Sequence, residues 1–150
     1  MSKRNFHFRL EPVRMLRKEA ERSVMKEFAG ELAAADQLRA ELRVVEERLV
    51  AAQRPPEGAM TAHELASRQL YAELMERQCA EAGARVERQQ RNVEQTRQRL
   101  ATATQRRNML DRLEGRRRSA HDAETRRTDA IEGNEIVLRS FLHSAGEAAL

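Results

Sequence analysis

Arg112, Arg116, Arg117, Arg118, Arg126 and Arg127 crowd one stretch near the end of this 150-residue chain. A guanidinium stays charged and presents a planar fork of donors, so a cluster of them suits recognition of carboxylate or phosphate rather than proton transfer. Nucleic acid fits poorly. Asp111, Glu114, Asp122, Glu124 and Asp129 lace the strip, and it has no interleaved aromatics on which bases could stack. An acidic protein partner is the better match. The remaining reactive side chains do not converge: His7, His63, His121 and His143 lack metal-ligand spacing, Cys79 has no histidine near it in sequence, and there is no Gly-rich phosphate loop. The expectation is therefore no enzymatic activity, no metal, no cofactor and no nucleic-acid partner.

A second candidate surface is apolar. Leu38, Leu42, Val45, Leu49 and Ala52 alternate steps of four and three, as the seam of a left-handed coiled coil requires, and Leu70 and Leu74 begin a returning face that runs on through Val86, Val93 and Leu100. Most of this set is expected to zip two helices together. A two-helix hairpin buries only one side of each helix, however, and Leu32, Val44, Val50 and Met75 are expected partly off the seam. The group Leu38, Leu42, Val45, Leu49, Leu70 and Leu74 near the turn is thus a candidate docking patch for another protein.

The elements that must carry both surfaces are helices. Charged residues make up 35% of the chain and aromatics 3%, which leaves too little bulky apolar material for a compact globule and matches long helices. The predicted fold is all-α, a long antiparallel two-helix coiled-coil hairpin forming a single domain over 1–150. Helix 1 spans about 9–53, a turn 54–60, and helix 2 about 61–142. Pro55, Pro56 and Gly58 stop the first helix, and Thr61 with Glu64 starts the second as a capping box, flanked by Met60 and Leu65 as a hydrophobic staple. Upstream, Leu16, Ala20, Val24, Phe28 and Leu32 advance by four, predicting a stripe that drifts round the helix. A hinge near residue 57 sets Leu49 near Leu65, Leu42 near Leu70 or Tyr71, and Leu10 near residue 104. Helix 2 then runs on as a C-terminal helical overhang whose inner line reads Leu110, Leu113, Arg117, Ala120, Glu124, Arg127, Ile131, Leu138. No apolar run approaches the roughly 20 residues needed to span a bilayer, and the N-terminus lacks a signal core, so a cytoplasmic protein with no direct membrane insertion is expected.

The run FHFRLEPVRMLRKEAE, with Phe6, Phe8, Leu10, Val13, Leu16 and Arg17, resembles the opening of the flagellar export protein FliJ family. The segment LDRLEGRRRSAHDAETRRTDAIEGNE resembles that family's C-terminal arginine-rich signature around Leu113, Arg117, Arg118, Glu124 and Arg127. The resemblance implies a non-enzymatic stalk of the flagellar type III export apparatus, peripherally associated with the inner membrane through that apparatus. It implies three partners: a hexameric export ATPase whose pore receives the basic end, a large export-gate membrane protein reached by the apolar tip, and export chaperones. The alternatives are a generic coiled-coil scaffold or a virulence type III secretion stalk protein.

Overall fold

The computed structural model describes residues 5–147, with side chains through residue 144. Two helices, α1 (Glu11–Gln53) and α2 (Ala62–Glu147), pack against each other as an antiparallel hairpin, and no strand occurs among the described residues. At about 1.5 Å per residue their axes run roughly 65 Å and 130 Å. α1 opens where the Phe8 carbonyl accepts the Glu11 amide at 3.0 Å and the Leu10 carbonyl accepts the Arg14 amide at 2.9 Å. Pro12 fits this first turn because an amide there would have no helical acceptor.

α1 stops at Gln53, ahead of Pro55 and Pro56, which have no amide to continue the ladder. Gly58 then takes a φ of 113°, in the region that a side chain disfavours. α2 opens on a reciprocal cap. The Glu64 amide donates to Thr61 Oγ1 at 3.2 Å, and the Glu64 carboxylate accepts from the Thr61 amide at 2.8 Å and its hydroxyl at 2.9 Å. The Thr61 amide holds the Glu64 carboxyl below its ordinary value. Met60 and Leu65, expected as a staple, remain 38% and 57% exposed.

The chain divides into two compact units, Glu19–Thr104 and a second that joins the segment up to Lys18 with the segment from Gln105 onward. In the Glu19–Thr104 unit the α1 seam is Val24, Phe28, Glu31, Ala35, Leu38, Leu42, Val45, Leu49 and Ala52. It faces Ala72, Met75, Cys79, Ala82, Val86, Gln89, Val93, Thr96 and Leu100 of α2. Both lines alternate threes and fours, so the heptad geometry holds throughout. Ala35 and Ala82 are the most deeply buried residues, and their small side chains let the backbones approach. The drifting stripe predicted by steps of four is corrected here: Ala20 and Leu32 are exposed, and Glu31 and Ala35 occupy the seam instead. Glu31 is tolerated there because Gln89 Nε2 bonds both its backbone carbonyl, at 3.0 Å, and its carboxylate. Met75, expected off the seam, is buried.

The register also differs from expectation. Glu21, not Leu10, meets Thr104, at 2.8 Å, and Gln53 bonds Glu76 at 3.1 Å. The cause is the linker. Two consecutive prolines favour an extended path of about 3 Å per residue. Residues 54–61 therefore run beside the first turns of α2, held by the Arg54 carbonyl accepting from Arg68, and those turns pass the end of α1.

In the other unit the segment Asn5–Phe8 is not helical; Phe6 turns to His121 of α2 and Phe8, two residues on, is buried. Every side chain from residue 129 to residue 144 is exposed.

Candidate functional site

The arginine cluster is built on the α2 segment that follows Gln105. Its inner side is an ion network. Arg14 forks onto Glu11 with two bonds of 3.0 Å, and its Nη1 reaches Asp111 Oδ1 at 3.2 Å and Glu114 Oε2 at 3.4 Å. Arg107 closes on the other Asp111 oxygen at 2.7 Å, and Arg118 on Glu114 Oε1 at 3.1 Å. The Arg14 hydrogen bond lowers the Glu11 carboxyl and, reciprocally, raises the Arg14 guanidinium. Desolvation pushes the Asp111 carboxyl up, but the hydrogen bonds from Arg107 and Arg14 outweigh it and leave that group below its ordinary value.

Above this network lies the aromatic strap. Phe6 stacks on His121 with ring centroids 5.5 Å apart and planes tilted by 60°, and the Arg118 guanidinium carbon stands 5.5 Å from the Phe6 centroid. Phe6 thus sits between a cation and an imidazole whose Nδ1 is buried without a hydrogen-bond partner.

The outer side has the opposite character. Wound at about 100° per residue, Arg112, Arg116, Arg126 and Arg127 fall in an arc of about 100°, roughly opposite Arg107, Asp111, Glu114 and His121. All four are exposed; Arg117, also exposed, stands about 80° beyond the arc toward His121, and none of these five has a carboxylate within ion-pair distance among the described residues. Arg118 is the exception in the predicted set: it is committed to Glu114 and Phe6. Of the acidic residues that interleave with these arginines in sequence, Asp111 and Glu114 are drawn to the inner side, where Arg14, Arg107 and Arg118 hold them, while Asp122, Glu124 and Asp129 remain exposed. The predicted inner line is corrected accordingly. Its first members, Leu110 and Leu113, are half-buried as expected, but Arg117, Ala120, Glu124, Arg127, Ile131 and Leu138 are exposed, whereas Asp111, Glu114 and His121 turn toward the strap and α1.

Near the turn, the six predicted apolar residues separate. Leu38, Leu42, Val45 and Leu49 are half-buried in the helix–helix seam, while Leu70 and Leu74 leave it, 66% and 49% exposed, with Tyr71 at 47% beside them. Leu70, Tyr71 and Leu74 share one outward flank of α2; Val44 and Val50, expected off the seam, are exposed on α1, as are Met60 and Leu65 at the turn. Among the described residues, no group of three or more His, Cys, Asp or Glu side chains is placed to hold a metal ion, and no helix is long and apolar enough to cross a membrane.

The family described as Flagellar FliJ protein matches residues 6–146, from the aromatic strap to the last turn of α2. The chain belongs to the FliJ family. Membership makes it a component of the flagellar protein export apparatus, in a family that is not catalytic. Comparison with the curated proteins and with the solved structures finds no match in either. Within this FliJ chain, reading residues in order missed the role of Phe6 and Phe8. Their alternate spacing just before Pro12 is the signal of an extended segment that buries every second side chain.

Proposed function

We propose that this FliJ-family chain is a non-enzymatic cytoplasmic stalk of the export apparatus whose arginine-bearing end enters the pore of the hexameric export ATPase. The apolar flank Leu70, Tyr71 and Leu74 makes the contact with the large export-gate membrane protein, and export chaperones are further partners. One observation carries the reading: Arg112, Arg116, Arg126 and Arg127 face outward, Arg117 is exposed beside them, and among the described residues none of the five has a carboxylate within ion-pair distance, an arrangement that favours an acidic partner. Family membership supports the identity of that partner.

The test is ATP hydrolysis by the cognate export ATPase with and without the protein. Wild type stimulates hydrolysis or hexamer assembly, and its association weakens as salt rises, because the contact is ionic. The double variant Arg116→Glu/Arg127→Glu keeps its helicity and loses stimulation. These two arginines are chosen because, unlike Arg118, they pair with no carboxylate among the described residues. A wild-type protein that alters neither rate nor assembly makes the chain a coiled-coil scaffold instead.

A further inference from the structure

The outward side of α2 carries a second repeat that the hairpin does not use. Positions 109, 113, 116, 120, 123, 127, 131, 134, 138 and 141 follow one another by three or four residues, the spacing of a coiled-coil seam. Met109, Leu113, Ile131, Leu138, Phe141 and Leu142 all fall within about 60° of Met109 on the helix. Met109 is 69% exposed, Ile131 59%, Leu138 61%, Phe141 70% and Leu142 64%. At its start the stripe forms a groove of about 480 Å³, lined by Met109, Leu110 and Leu113 and rimmed by Arg112 and Arg116. Met109 at one end and Ile131, Leu138, Phe141 and Leu142 at the other, left in water along a stripe of about nine turns in which Leu113 is half-buried and Arg116, Arg127 and Asn134 intervene, make a helix face without its helix.

The charges say what kind of helix. Within about 100° of Met109 stand Arg106, Arg112, Arg116, Arg117, Arg126 and Arg127, against Glu124 and Glu135 alone. We infer that the stripe is the seat of a third helix supplied by the partner, amphipathic, with apolar a and d positions and flanks rich in Asp and Glu. The inference rests on reading these arginines as partner-facing, and it adds that the partner packs as a helix along α2 and not only as a charged wall around it. A second copy of the chain fits less well. In the antiparallel register that sets Leu113 against Phe141 and Arg116 against Leu138, Arg127 meets Arg127. A nucleic acid satisfies the arginines and leaves the five exposed apolar side chains in water.

The test uses the full chain and a synthetic peptide of about five heptads, with leucine at a and d and glutamate at e and g. The controls carry lysine at e and g, or the same composition scrambled. Fluorescence anisotropy at low salt shows the glutamate helix bound, and both controls weaker by about tenfold or more. Ile131→Asp/Leu138→Asp, at residues exposed in the free chain, keeps its circular dichroism and loses about tenfold in affinity. Three results overturn the inference: no binding of the glutamate helix, equal binding of the scrambled peptide, or a wild-type dimer that Ile131→Asp dissociates. Stimulation of the export ATPase, measured in parallel, separates the two readings. If Arg116→Glu/Arg127→Glu abolishes stimulation while the peptide never binds, the third helix is wrong and the stalk stands. If the peptide binds as described while stimulation ignores the arginines, the stalk is wrong and the helix seat stands.

Discussion

In the Glu19–Thr104 unit, α1 and α2 meet mainly through aliphatic and small side chains, Ala35 and Ala82 the most deeply buried, with Glu31–Gln89 as a polar step. In the unit built from the two terminal segments, α1 contributes Glu11, Arg14 and Lys18 to the same kind of seam, and α2 answers with Arg107, Asp111 and Glu114. Apolar burial is non-directional and resists salt; partly exposed ion pairs contribute less and depend on pH and ionic strength. The first seam is built to persist. The second specifies which groups sit opposite which, and it relies on Phe6 and Phe8 for its apolar cover. The apolar seam and the ionic seam thus belong to different units of the same two helices.

The largest effect should come from charging the apolar seam. Val86→Asp leaves an unpaired carboxylate where the side chain is buried, and urea unfolding should show a loss of roughly 3 kcal/mol or more. A smaller loss would mean that this seam opens to water as readily as the ionic one. Phe8→Ala comes next. Removing the buried ring should weaken the strap by about 3 kcal/mol locally. Hydrogen exchange should speed up across residues 107–121 while residues 72–100 keep their protection, and equal loss in both would abolish the contrast between the units.

Acid should divide them as well. Glu11 and Asp111 have folded-state pKa values below their ordinary 4.5 and 3.8. Their contribution is therefore complete above those values and disappears as pH falls through the lower folded ones. In the Glu19–Thr104 unit the depressed carboxyls, Glu64 and Glu94, bond Thr61 and Arg97 within their own segment. Acid titration followed by residue-resolved NMR should release α1 from α2 around Arg14 while the pairing around Val86 persists. The smallest effect is a matched pair. A Cβ added at Gly83 or at Gly115 meets nothing within 4 Å, so each change to alanine should stabilise by about 1 kcal/mol or less through helix propensity alone. A gain at Gly83 with none at Gly115, by thermal melting, would mean that α2 is frayed in solution around the arginines.

Sequence reasoning found what local chemistry dictates. Pro55, Pro56 and Gly58 end one helix and Thr61 with Glu64 begins another because each signal acts over a few residues. Leu38 to Ala52 was legible as a seam because apolar residues mark every step. From Glu11 to Glu21 the seam is polar, so hydropathy pointed to Leu16, which is 70% exposed. The register was not legible, since it depends on the length of the extended linker rather than on any residue in the helices. The outward arginines were named from composition, yet their separation from Asp111 and Glu114 appears only when the helix is wound and Arg14 is set opposite them.

The single linker also fixes the order in which the chain can close. Gln53 and Glu76 are 23 residues apart, Glu31 and Gln89 58, Glu27 and Arg99 72, and Arg14 and Glu114 100. Each doubling of such a separation adds only about 0.6 kcal/mol of closure entropy once, but a contact formed early shortens the loop that every later contact must close. Pairing should therefore start beside Pro55–Pro56 and zip toward the chain ends, with Phe6 the last group to find its place. During synthesis the strap must wait until His121 has left the ribosome, about 115 residues after Phe6 itself. By the same order in reverse, the arginine-bearing end can part from α1 and close again in fast local steps without undoing the pairing that began at the turn.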